Sequence, residues 1–298
     1  MTTELSVPSK DFSELSCYIV CPRKWYARHW LDLVSNRKSA APTFGIWIHR
    51  ALDVMFKSGW DLEAALDEWN KAELATDSLR TSALGIAILK AYHLEYVSSG
   101  VESLHNEVQW VVPVSIDGFE FTLHGRIDRI VKQHGLVWCM DHKTTTRLGA
   151  TYFEQYNPNL QVALYMNASQ EYFGDINGMI IDAIFVGKNR NFQRDPVALP
   201  KGELDLQFAE GLEWARRVIS TERALKEHPD QWRTICPRAM ITEACSSWSG
   251  CEYRPLCRWN FHEAIVEAEF HKEPWGLGIE PKENAPTNVQ KKGATLTP

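Results

Sequence analysis

The sequence predicts an α/β (α+β) fold: a helical N-terminal region, a central mixed sheet flanked by helices, and a C-terminal cysteine cluster. Three observations carry this. Residues 11–100 hold stretches of helical spacing closed by Gly59 and Gly100. Residues 104–143 alternate apolar and polar side chains around the turn signals Asp117-Gly118 and Gln133-His134-Gly135. A helical segment at 158–173 then gives way to the strongly apolar run 176–187, INGMIIDAIFVG.

In order along the chain, helices are expected near 22–34, 42–58, 61–75 and 79–98. Pro42 suits the first turn of the second and Gly59 its stop. Residues 119–131 (FEFTLHGRIDRIV) read as a half-buried strand, and Leu136 to Lys143 returns as its neighbour, so 104–143 forms a three-stranded meander. After the helix at 158–173 come a strand over 176–187, a shorter one near 191–199, and a helix over 203–227. In that last helix Leu204, Phe208, Leu212, Trp214, Ala215 and Ile219 form a core stripe. A cysteine segment and a helix at about 258–270 complete a single domain over 1–272. From Glu273 onward Pro, Gly, Thr, Asn and Lys dominate, and a disordered tail over 273–298 is expected.

Composition sets outer bounds. Apolar residues make up 44% of the 298, enough for a substantial core. The opening MTTELSVPSKDFSELS has no apolar signal region, and no apolar run approaches the ~20 residues of a bilayer span. A soluble cytoplasmic protein with no membrane partner is expected. The net charge of −6 argues against indiscriminate nucleic-acid binding. Locally, Arg23, Lys24, Arg28, Arg37, Lys38 and Arg50 interleave with Trp25, Tyr26, His29 and Trp30, and Lys188, Arg190 and Arg194 mark a second basic loop. Such patches could neutralise phosphates and stack on unpaired bases, or could simply be solvated faces.

Chemistry concentrates between Gly125 and Lys143. Asp128 and Asp141 lie thirteen positions apart, and Lys143 follows two residues after the second. In an extended strand Asp141 and Lys143 share a face, and an antiparallel neighbour can bring Asp128 beside them. Two adjacent carboxylates repel unless a cation sits between them, and oxygen ligands suit Mg²⁺ or Mn²⁺.

This pattern resembles the active site of the PD-(D/E)XK nucleases, specifically the RecB-like branch. Asp128 matches the first acidic residue and Asp141-His142-Lys143 the (D/E)XK element, with Ile127 standing where the motif name has proline. Gly45 and His49 match a G-x-x-x-H on a helix against the sheet, and Gln161 and Tyr165 match a Q-x-x-x-Y on the helix after the catalytic strands. The resemblance implies a restriction-endonuclease-like core. It also implies Asp128, Asp141 and Lys143 as catalytic residues, and His49, Asp128, Asp141 and the His142 backbone carbonyl as ligands of Mg²⁺ or Mn²⁺. Gln161 and Tyr165 would contact the strand being cut. Glu107 could add a further carboxylate, although an exposed strand glutamate is the simpler reading.

Seven cysteines are present, three of them in a C-x5-C-x5-C array at Cys245, Cys251 and Cys257. With Cys21 near the N-terminus, this layout is similar to the iron–sulfur arrangement of AddB and of the CRISPR-adaptation and phage nucleases related to RecB. The resemblance implies a [4Fe–4S] cluster on Cys21, Cys245, Cys251 and Cys257. A local Zn²⁺ site on Cys236, Cys245, Cys251 and Cys257 stays open, as do plain buried thiols. Cys17, one helical turn before Cys21, competes for the N-terminal position, and Cys139 is expected to pack. A disulfide set is disfavoured by the odd count and the missing secretory signal.

The implied activity is that of a metal-dependent DNA exonuclease in phage or bacterial recombination or repair. It would act on single strands or duplex ends beside a recombinase, helicase or annealing protein, in the host cytoplasm if phage-encoded. The alternative is a non-catalytic DNA-binding or partner-binding module that retains the fold.

Overall fold

The computed structural model describes residues 7–37, 39–75, 77–246 and 250–276. The disordered tail expected over 273–298 is corrected at its start, where the Glu273 amide donates to the Asp32 carbonyl at 2.8 Å and Trp275 Nε1 to Asp11 Oδ2 at 2.6 Å, while residues 277–298 lie outside the described residues. In chain order the elements are β1 (Ser9–Asp11), α1 (Phe12–Val20), α2 (Pro22–Trp25, running on as a π turn to Trp30), β2 (Leu33–Ser35), α3 (Ala40–Lys57), α4 (Leu62–Trp69) and α5 (Ser82–Tyr96). There follow β3 (Glu102–Ile116), β4 (Phe119–Gln133), β5 (Leu136–Thr145), α6 (Leu160–Phe173), β6 (Met179–Phe185), β7 (Phe192–Val197) and α7 (Lys201–Glu227). The chain closes with α8 (Trp232–Ile235), α9 (Thr242–Ser246), α10 (Arg254–Arg258), α11 (Glu263–Glu269) and β8 (Phe270–Lys272). Among the described residues no helix is long and apolar enough to cross a membrane.

Where the sequence suggests one domain, the packing forms two compact units. One comprises residues 1–37, 111–125 and 209–298, the other residues 38–110 and 126–208.

The second unit is built on a mixed sheet. β4 pairs antiparallel with β5 from Arg129 opposite Met140 to Gln133 opposite Leu136. The connection is a two-residue hairpin in which His134 and Gly135 both take positive φ (51° and 81°), the twist that tight hairpins require. β5 then pairs parallel with β6, Cys139 opposite Met179 through Thr145 opposite Phe185, and β6 pairs antiparallel with β7. α6 makes the crossover between the two parallel strands, as parallel pairing demands.

Side chains alternate across β5. Cys139, Asp141 and Lys143 reach α6 residues, whereas His142 and Thr144 meet α3. On the α3 side Phe44, Ile48, Ala51, Leu52 and Met55 recur at helical spacing and pack with Trp69 of α4, Leu89 of α5 and Ile184 of β6. Gly85 is required there, because a Cβ would fall 1.9 Å from the Trp69 ring.

The first unit joins segments distant in sequence. β1 pairs parallel with Thr122–His124 of β4, and β2 pairs antiparallel with β8. That second pairing corrects the helix expected over 22–34, because the chain is extended at Leu33–Ser35 to reach Phe270–Lys272. The helix expected over 258–270 is likewise split. Asn260 and Phe261 adopt φ of 52° and 58°, which no right-handed helix accommodates. Lys10 is buried between Glu14 (3.0 Å) and Glu222, and Arg23 donates to the carbonyls of Cys236 (2.6 Å) and Arg233 (2.8 Å). Tyr253 donates its hydroxyl to the Leu33 carbonyl at 2.8 Å, above a small core of Ala27, Leu33, Leu256 and Phe270.

Candidate active site

β4 and β5 part company at the end of their ladder. The last paired residues are Arg129 and Met140, so Asp128 stands at the fork. There its carboxylate takes the bond that a strand partner would have made, accepting from the His142 amide at 2.8 Å. α3 approaches the same point. Gly45 lies so close to β5 that a Cβ would sit 3.0 Å from Thr144 Oγ1, and one turn later His49 places Nδ1 3.3 Å from Asp128 Oδ2. The G-x-x-x-H spacing thus has a steric cause, since the small residue lets the helix bring the imidazole to the fork.

On the α6 face, Asp141 is buried beside Gln161 and Lys143. Gln161 Nε2 donates to Oδ1 at 2.9 Å, and Lys143 Nζ lies 2.6 Å from Oδ2. Lys143 Nζ also donates to Gln161 Oε1 at 2.9 Å, which closes a triangle of three side chains. Gln161 is held there because Asn159 caps α6, its side chain accepting from the amides of Gln161 and Val162.

Electrostatics separate the two carboxyl groups. Burial pushes Asp128 up, but the His49 imidazolium and the His142 amide outweigh it and hold the group well below the usual carboxylate range. Burial raises Asp141 and the Asp128 charge adds to the rise, with Lys143 only partly offsetting it. Against burial, which lowers both, His49 is raised by Asp128 and Lys143 by Asp141. Glu107 is half-buried on β3 with φ of 50°, and its Oε2 lies 2.7 Å from Arg126 Nε. Burial and the nearby Asp128 push it up to about 7, so it is not the plain exposed glutamate of the simpler reading.

The structure therefore gathers His49, Asp128, Asp141, Lys143 and Gln161, with the His142 backbone at their centre. Tyr165, one turn beyond Gln161, is buried with its ring edge-on to Trp110 at 5.9 Å. The basic patches are corrected in part. Trp25 is fully buried, Tyr26 stacks on Trp232 at 4.8 Å, and Arg23 is spent on backbone carbonyls, so these serve packing. Arg194 lies on β7 and pairs with Asp182 inside the unit. Lys38 lies outside the described residues.

A buried group behind the fork is not evident from the motifs. Asp182 of β6 accepts from His142 Nδ1 (2.9 Å), the Tyr92 hydroxyl and Arg194 (3.2 Å). The available signal was an aspartate inside the apolar run INGMIIDAIFVG, since a carboxylate buried in a strand must find partners.

The side-chain donor set fits a hard divalent cation: two carboxylates and an imidazole. Asp141 Oδ2 supports the fit, because Lys143 meets it as a charge contact and leaves this buried oxygen without an aligned hydrogen bond. Among the described residues, no three His, Cys, Asp or Glu side chains stand close enough together to hold a metal ion as they are.

In the first unit, Cys21, Cys245, Cys251 and Cys257 line one cavity of about 230 Å³ together with Lys24, Arg238, Arg254 and Arg258. Neither Cys17 nor Cys236 is among its described lining residues, and burial pushes both of those thiols up to about 12. Cys139 is buried in the second unit and donates to Ser169 Oγ at 2.8 Å.

A family model for the PD-(D/E)XK nuclease superfamily matches residues 12–258, and the chain belongs to that superfamily. No curated protein matches the chain. Among solved structures it is similar to a candidate exonuclease from Eubacterium rectale, at 12% identity and a TM-score of 0.46 over 89% of this chain and 90% of that one. It is also similar to the crystal structure of SSO0001, at 12% identity and a TM-score of 0.29 over 57% of this chain and 74% of that one.

Proposed function

We propose that this nuclease hydrolyses DNA phosphodiester bonds with the help of Mg²⁺ or Mn²⁺, acting as an exonuclease on single strands or duplex ends. The reading rests on one observation: His49, Asp128, Asp141, Lys143 and Gln161 meet in a single cluster in which each is held by another. Asp128 and Asp141 would hold the cation, with His49 and the His142 carbonyl completing the ligands. A bound cation supplies Lewis acidity and a more acidic water.

The chain's own residues do the rest. Lys143, drawn away from Asp141, orients the attacking water through Nζ and offsets charge developing on the phosphate. Gln161 holds Lys143 in reach of the scissile group. Tyr165, seated against Trp110, would support the strand being cut.

The cysteine cavity supports a [4Fe–4S] cluster on Cys21, Cys245, Cys251 and Cys257. Four cysteines line one space, and Lys24, Arg238, Arg254 and Arg258 around it would offset thiolate charge. A four-iron cluster holds its thiolates farther apart than a single zinc ion does. The cluster would be structural, and the setting would be recombination or repair beside a recombinase, helicase or annealing protein.

End-labelled linear DNA and circular single strands, incubated with protein in Mn²⁺ or in EDTA, test the activity. Loss of linear DNA in Mn²⁺ alone, with circles intact, is expected. Cut circles would replace the exonuclease reading with an endonuclease. Binding without cleavage in either buffer would leave a DNA-binding module.

A further inference from the structure

We propose that Asp182 is a positioning residue for the nuclease centre: it grips the His142 side chain and so fixes the backbone amide that holds Asp128. This rests on the divalent-cation reading given above. Asp182 is fully buried in the middle of β6 and stands directly opposite His142 in the parallel ladder. Its Oδ2 takes the His142 ring at Nδ1 (2.9 Å), the Tyr92 hydroxyl, and Arg194 Nη2 at 3.2 Å. Arg194 Nη2 also donates to the Tyr92 oxygen at 2.8 Å, and its Nε lies 3.2 Å from Asp182 Oδ1. The ring is clamped on its faces as well, stacked on Phe56 at 5.5 Å and perpendicular to His49 at 6.0 Å.

Stability is a weak explanation for this arrangement. Buried ion networks often contribute less than apolar side chains of similar volume would. This one also neighbours Arg129, which is buried over Phe56 at 3.6 Å with one guanidinium nitrogen unpartnered. What the network does deliver is a fixed His142. That residue lies between Asp141 and Lys143, and its amide is the 2.8 Å donor to Asp128. A rotation at this one residue would displace all three groups at the fork. Partners that orient metal-binding groups in this way typically carry a 10–100-fold effect on metal affinity.

The test uses the full chain, with Mn²⁺ as the probe. Calorimetric titration gives the Mn²⁺ affinity without DNA, cleavage against Mn²⁺ concentration gives the half-saturating point, and melting in EDTA reports folding. Asp182→Asn is expected to weaken Mn²⁺ binding by roughly 10-fold or more and to move half-saturation equally, with much of the rate regained at high Mn²⁺. Tyr92→Phe, which removes a single hydroxyl, is expected to shift both in the same direction by less. A purely structural role would lower the folded fraction and maximal rate and leave half-saturation in place. Wild-type Mn²⁺ affinity in a folded Asp182→Asn protein overturns the proposal. If that variant does not fold, unchanged affinity in Tyr92→Phe overturns it instead. A wild-type protein that neither binds Mn²⁺ nor cleaves would overturn the nuclease reading itself.

Discussion

In the unit formed by residues 38–110 and 126–208, each candidate ligand is already held by a protein partner: His49 by Asp128, Asp128 by the His142 amide, Asp141 by Gln161 and Lys143. In the other unit four cysteines line a common cavity, one of them exposed. The difference follows from the chemistry of the donors. Carboxylates, imidazoles and amines form strong hydrogen bonds and ion pairs, so a protein can arrange them by itself. Thiols are weak donors and weaker acceptors, and they gain firm geometry chiefly from the metal they bind. One site is organised in advance, and the other would be organised by the cluster proposed for it.

The sharpest way to break this contrast is to damage one site and read both. Asp141→Asn keeps the Gln161 contact but removes the charge that Lys143 and a cation share. Cleavage should fall by about 1000-fold or more, the scale on which directly acting electrostatic groups contribute, while iron content stays at the wild-type level. The converse change acts through folding. Cys251→Ser and Cys21→Ser should each bleach the brown colour of anaerobically purified protein and lower its melting temperature, because cluster binding is coupled to folding. Cys236→Ser should leave the colour intact. Zinc in place of iron, with Cys236 essential and Cys21 dispensable, would move the metal to the local four-cysteine set and leave the nuclease centre untouched.

A smaller effect concerns pH. Glu107 binds its proton more tightly when folded, up to about 7, than in the unfolded chain. Its contribution to stability is therefore complete below its ordinary value and lost as pH rises through about 7. In EDTA, Glu107→Gln should melt higher than wild type at pH 8 by roughly 2–4 °C, as about 1 kcal/mol gives in a protein of this size, with the gap closing toward pH 4.5. Equal melting across that range would show that Arg126 fully compensates the charge. The smallest change separates the seventh thiol from the other six. Cys139→Ala loses one sulfur hydrogen bond to Ser169 and should cost about 1 kcal/mol, with colour and cleavage unaffected.

Local pattern made the candidate site legible and hid the buried network behind it. Asp141 and Lys143 are two apart on one strand, Gly45 and His49 one turn apart on one helix, and both spacings survive in the fold because each depends only on its own element. The turns at Asp117-Gly118 and His134-Gly135 were readable for the same reason, since left-handed backbone favours those residue types. The network of Tyr92, His142, Asp182 and Arg194 draws on α5, β5, β6 and β7, and only the buried aspartate hinted at it. β2 is hidden in the sequence, because nothing in Leu33–Ser35 announces a partner at Phe270–Lys272, more than two hundred residues away. The basic, aromatic segment from Arg23 to Trp30 looks like a surface that binds phosphates. Burial turned Trp25 and Tyr26 into core and Arg23 into a brace for Cys236.

The measurement that bears most directly on the central claim pairs binding with chemistry in a single variant. Lys143→Ala removes the group assigned to the water and the phosphate while leaving Asp128, Asp141 and His49 in place. Calorimetry with Mn²⁺ and degradation of end-labelled linear DNA should then diverge: Mn²⁺ still binds, and cleavage drops by roughly 100–1000-fold. Undiminished cleavage by folded Lys143→Ala protein would contradict the account.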